Sequence, residues 1–162
     1  MSGIGLIFHR DAKPVERDDL ERMSRSLALY GPEKRQIKAD GEVGFAYTHF
    51  TNTPEAKLAE QPLVSRRGQQ TMVFDGRIDN RDALARALGL SASDLARLSD
   101  AALAMAGWER WGVDGLNHWV GEFAAIVWDR EARTATMLRD QFGRRPLHYH
   151  LTDKRLVVAS MP

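Results

Sequence analysis

The sequence predicts an α+β fold of two mostly antiparallel sheets with flanking helices. Three observations carry that expectation. Strand-like runs stand at both ends of the chain, with helical periodicity between them. About nine strand-like runs accompany about three helical segments. Helices do not alternate with strands, which argues against a doubly wound parallel sheet.

Gly3 to Phe8 is a short apolar run bounded by glycine and by Arg10-Asp11, and it reads as a buried strand. Gly3 and Gly5 within it suit a close approach of backbone to a neighbour. From Val15 to Tyr30 the period becomes helical, with Leu20, Met23 and Leu27 on one face, and Gly31-Pro32 stops it. Arg35–Lys38 and Val43–Phe50 flank Asp40-Gly41, a hairpin turn signal. Asn52 to Gln61 is polar and reads as a loop. Pro62–Arg66 and Thr71–Phe74 read as two further strands around Gly68. Asn80 is expected to cap a helix running to Leu88, closed by Gly89. Ser99 or Asp100 caps another, carrying Leu103 and Trp111. Glu122–Trp128, Thr134–Arg139, Leu147–Leu151 and Arg155–Ala159 complete the strands.

Composition narrows the function classes. The 162 residues suit a single domain, 1–162, with 43% hydrophobic and 28% charged residues. A net charge of +1 gives no electrostatic case for a nucleic-acid partner. The absence of cysteine excludes disulfides, thiolate metal sites and a cysteine nucleophile. No apolar run approaches the length of about twenty residues that spans a bilayer, and no signal peptide opens the chain. A cytoplasmic protein without membrane contact is expected.

Local motifs give few catalytic signals. There is no phosphate-binding glycine loop. His148 and His150 share a strand face without a third ligand, so they read as surface histidines and no metal is expected. Arg66-Arg67 and Arg144-Arg145 are isolated basic pairs, and the tryptophans between Trp108 and Trp128 read as core. Ser2 stands out. With Met1 removed, its hydroxyl would sit beside a free α-amine able to serve as its base, the logic of N-terminal nucleophile hydrolases.

An ordered series of motifs adds to this. Ser2-Gly3-Ile4 stands at the start, followed by Tyr30-Gly31-Pro32-Glu33 and Glu60-Gln61-Pro62-Leu63. Phe74-Asp75-Gly76-Arg77-Ile78-Asp79-Asn80, Gly121-Glu122-Phe123-Ala124 with Trp128-Asp129, and Arg139-Asp140-Gln141-Phe142-Gly143-Arg144-Arg145-Pro146-Leu147 come next. Over nearly its whole length the chain resembles the N-terminal class II glutamine amidotransferase-like domain of asparagine synthetase, β-lactam synthetase and lasso-peptide cyclase. The resemblance implies a four-layer αββα sandwich of the N-terminal nucleophile hydrolase type.

The same resemblance implies roles, and this sequence departs from them. The family's nucleophilic cysteine falls on Ser2, its oxyanion pair on Asp75 and Gly76, and its carboxylate-binding arginine near His49. The motif glutamate falls on Arg77, and Asp100 alone keeps a family acid. These changes imply a degenerate glutamine pocket that hydrolyses nothing. The resemblance further implies an ATP-pyrophosphatase synthetase domain downstream as partner, with ATP and Mg²⁺ needed there and no cofactor here. The chain stops at Pro162, about where the family's linker begins, so a fragment of such a ligase is expected. Two other readings stand beside it. One is an active glutaminase using Ser2. The other is a stand-alone module binding a peptide or amino acid through His49, Asp75, Arg77 and Asp100. Homo-oligomerisation stays open.

Overall fold

The computed structural model describes residues 1–162. Five strands form one antiparallel sheet in the order β2-β3-β1-β9-β8, where β1 is Gly3–His9, β2 Lys34–Asp40, β3 Val43–His49, β8 His148–Leu151 and β9 Arg155–Ala159. Four form a second, in the order β4-β5-β6-β7, with β4 Leu63–Val64, β5 Gln70–Ile78, β6 Gly121–Asp129 and β7 Thr134–Arg139. Alternation along the strands decides what lies between and outside the sheets. Ile4 and Leu6 of β1, Phe45 and Tyr47 of β3, and Val73 of β5 meet Ala124, Ile126 and Trp128 of β6 in the inter-sheet core. Met72 and Phe74 of β5 face the other way, onto the helices.

Helix α1, Arg17–Leu27, covers the outer face of the first sheet through Leu20, Met23 and Leu27. Each fully buried leucine contributes roughly 1.5–3 kcal/mol. The glycines of β1 and β3 bring this helix close. A methyl at Gly3 would stand 2.8 Å from Leu27 Cβ, and one at Gly44 would stand 2.7 Å from Leu20 Cδ1. Helices α2, Arg81–Leu88, α3, Ala92–Leu95, and α4, Asp100–Trp111, cover the second sheet. Leu84, Leu103, Ala104 and Trp108 pack there against Phe74, Phe123 and Trp119. The result is the expected αββα sandwich.

Three differences from the expected elements have physical reasons. β5 does not stop at Phe74 but pairs with β6 through Ile78, so Asp75 and Gly76 are strand residues opposite Ala124 and Phe123. Asn80 stands at the start of α2 without a capping bond from its side chain. That side chain instead donates to His118 O at 2.9 Å and accepts from Val120 N–H at 3.0 Å, tying two loops together. The four-residue α3 lies where no helix is expected. It is held by a capping box in which Ser91 and Asp94 exchange bonds.

Candidate functional site

Ser2 sits just ahead of β1, where its neighbours fix it from three sides. Gly3 N–H donates to Thr48 Oγ1 at 3.0 Å, and that hydroxyl donates to Leu27 O at 3.1 Å. Phe50 N–H donates to Ser2 Oγ at 3.1 Å. The Ser2 backbone N–H donates to Asp75 Oδ1 at 2.8 Å. Asp75 points into the space between the sheets because it lies two residues beyond Val73 on β5. Gly76 follows with φ of +148°, and a Cβ there would overlap Phe123 and the carbonyl of Glu122, so glycine is required.

Asp75 is only 3% exposed, and its Oδ2 has no hydrogen-bond partner. The nearest cation is Arg145, with Nη1 at 3.6 Å. Burial pushes the Asp75 carboxyl up from 3.8 to about 6, against the opposing pull of Arg145 and the Ser2 amide. Arg145 reaches this place from the turn after β7. The Asp140 carboxylate gathers that turn by accepting from the N–H groups of Phe123, Phe142, Arg144 and Arg145. Burial opposes ionisation of Asp140, but those four bonds outweigh it and hold the carboxyl below its ordinary value.

Asp100 opens α4. Ser99 caps the helix by accepting from Ala102 N–H at 3.1 Å. The Asp100 carboxylate is bound by Arg81, whose guanidinium also donates to Leu95 O at 3.2 Å and Leu98 O at 2.7 Å. Burial raises the Asp100 carboxyl and the arginine offsets part of that rise. Gln61 clamps the approach to β5, donating to Phe74 O at 2.8 Å and accepting from Phe74 N–H at 2.6 Å.

Ser2, Asp75, Gly76 and Asp100 thus line one cavity, together with Tyr47 and Gln61. Its volume is about 20 Å³. One water needs roughly 10–15 Å³, whereas small-molecule sites run to about 300 Å³ and above. The cavity has room for about one water.

His49 and Arg77 do not line it. Tyr47 O–H lies 2.7 Å from His49 Nδ1, His49 Nε2 lies 3.0 Å from Thr51 Oγ1, and Thr51 Oγ1 donates to Glu33 Oε2 at 2.6 Å. Because Thr51 gives its proton to Glu33, it accepts from Nε2–H, and Nδ1 accepts from the tyrosine. His49 is therefore a link in a chain from the surface to Tyr47. Arg77 pairs with Asp79 at 2.8 Å, both side chains 47% exposed, in a separate groove shared with Arg139 and Arg144. Sequence reasoning missed Arg145, Gln61 and Tyr47 as parts of the site. Arg145 and Gln61 lie inside quoted motifs, which was the available signal.

Known proteins resemble the chain over nearly its whole length. The glutamine amidotransferase domain family matches residues 1–162. Glutamine-hydrolysing asparagine synthetase 2 of Bacillus subtilis is 26% identical over 141 residues, covering 87% of this chain and 18% of that protein. Amidase chry2 of Gibberella zeae is 24% identical over 156 residues, covering 95% and 23%. The chain therefore spans about a fifth to a quarter of the length of these relatives. Glutamine phosphoribosylpyrophosphate amidotransferase from B. subtilis, complexed with ADP and GMP, shares the fold at a TM-score of 0.57 and 18% identity, covering 98% of this chain and 35% of that one. By sequence over its whole length and by architecture, the chain belongs to the glutamine amidotransferase domain family.

Proposed function

We propose that this domain no longer hydrolyses glutamine and serves as a structural or docking part of an ATP-dependent, asparagine-synthetase-like amide-forming ligase. The ligase is of the lasso-peptide cyclase or β-lactam synthetase kind, whose substrate already contains the attacking amine, so that no ammonia has to be supplied. ATP and Mg²⁺ then belong to the synthetase region, and this domain uses no cofactor of its own.

The observation that carries the reading is Asp75, a buried carboxylate beside Ser2 in a cavity of about 20 Å³. Two physical consequences follow. An ionised carboxylate has no N–H to offer a developing oxyanion, and loss of one such donor costs about a hundred- to a thousandfold in rate. Were Met1 removed, the Ser2 α-amine would lie at the 2.8 Å distance from Asp75 that its amide holds now. That ion pair would keep the amine protonated and unfit as a base. Serine is also a weaker nucleophile than a thiolate near neutral pH.

Mass spectrometry of the N-terminus, with an ammonia assay on glutamine, tests the reading. The expected outcome is release at the buffer rate, unchanged by Ser2→Ala. Release above that rate, abolished by Ser2→Ala, would restore the active glutaminase.

A further inference from the structure

A broad groove lies away from Ser2, along the open edge of β2. It encloses about 940 Å³ between α1 on one side and residues 60–64 on the other. Four successive β2 residues, Arg35 to Lys38, form its floor. β2 is an edge strand, with β3 on one side and no strand on the other. At seven residues it is longer than the other sheet edges, β4, β7 and β8.

Two buried polar atoms in this groove lack partners, Ser24 Oγ and Gln36 Oε1. Ser24 is 1% exposed. A buried hydroxyl without a bond is unfavourable, so a ligand that satisfies it is favoured over one that does not. Lys34, Arg35 and Lys38 of β2 make no ion pair, and the groove's other arginine, Arg17, is held by Glu21 at 3.3 Å.

We propose that the β2 edge is a docking site for an extended acidic peptide segment of another chain, which adds to the five-stranded sheet as a sixth strand. The geometry is that of β-strand addition, in which main-chain bonds give affinity and flanking walls read alternate side chains. One set of side chains would face Ser24 on α1, the other Gln36 and Leu63. A seven-residue strand extends about 23 Å, the reach of β2 itself. The three unpaired cations of β2 outnumber Glu60, the one acid of the groove outside an ion pair, and select the sign of the partner. Two copies of β2 side by side would set these charges against each other, which is how natural edges deter self-pairing. An acidic strand meets no such penalty. The assignment does not depend on the state of the Ser2 cavity.

Backbone amide exchange of the chain tests it, with two blocked heptapeptides as probes, one alternating glutamate with valine and one alternating lysine with valine. With the acidic peptide at about ten times its Kd, exchange across residues 34–40 should slow about tenfold, and the lysine peptide should leave it unchanged. The double variant Arg35→Glu, Lys38→Glu should exchange the two preferences, each by about tenfold or more. Should that variant fold poorly, the two-peptide comparison on the unaltered chain still decides. Equal protection by both peptides, protection confined to β7 or β8, or no protection would overturn the proposal. So would β2 protection that rises with protein concentration alone, since a second copy would then be the occupant.

Discussion

Two carboxylates line the same cavity, and the chain treats them in opposite ways. Asp100 starts a capped helix, and Arg81 binds it while tying down two loop carbonyls. Asp75 sits deeper, with one oxygen bonded to the Ser2 amide and the other facing Arg145 at 3.6 Å without a hydrogen bond. Burial raises both carboxyls, yet only Asp100 is hydrogen-bonded by the arginine beside it. Asp100 is built into the framework, whereas Asp75 is a buried charge with one oxygen left unbonded. A shared location says little about a shared role.

The largest expected effect tests the framework side. Arg81→Met leaves Asp100 buried without its partner and the carbonyls of Leu95 and Leu98 without donors. Breaking a buried pair in this way costs about 3–5 kcal/mol. Urea unfolding at neutral pH should show that loss, and a change below about 1 kcal/mol would remove Asp100 from the framework.

Asp75→Asn comes next and has the opposite sign at neutral pH. The carboxyl titrates near 6 when folded against 3.8 ordinarily, so the native state binds its proton more tightly than the unfolded chain does. The stability this supplies is complete below about pH 4 and is lost as pH rises through about 6. The asparagine variant lacks that loss. It should match the unaltered protein near pH 4 and exceed it by roughly 3 kcal/mol at pH 7. Thermal melts at the two pH values check the difference, and parallel curves would show that Asp75 is as well accommodated as Asp100. The smallest effect belongs to Ser99→Ala, which removes the cap of α4 and should cost about 1 kcal/mol at any pH between 5 and 8.

The contrast also marks where the sequence was legible. Gly3–His9, the hairpin around Asp40-Gly41, α2 with its closing Gly89, and Ser99 ahead of α4 all follow from local chemistry. Ser2, Asp75, Gly76 and Asp100, which the family resemblance singles out, line one cavity. The extent of β5 was hidden because aspartate and glycine disfavour strands, and only pairing with β6 keeps them in one. Arg145 was hidden because it stands beside Arg144 as half of a basic pair. One side chain of the pair turns inward to Asp75, while the other stays outside near Glu122 at 3.6 Å. That division is set by the Asp140 turn, which local sequence does not reveal. His49 and Arg77 stand outside that cavity, since alignment gives a position along the chain and not the direction of a side chain.

The four N–H groups gathered by Asp140 have a consequence for acidification. Asp140 holds its charge to lower pH than usual, while Asp75 gains a proton near 6. As pH falls, Arg145 therefore loses its counter-ion while the turn that carries it is still clamped in place. Between those two titrations the domain contains a stranded guanidinium, fixed in position with no carboxylate opposite.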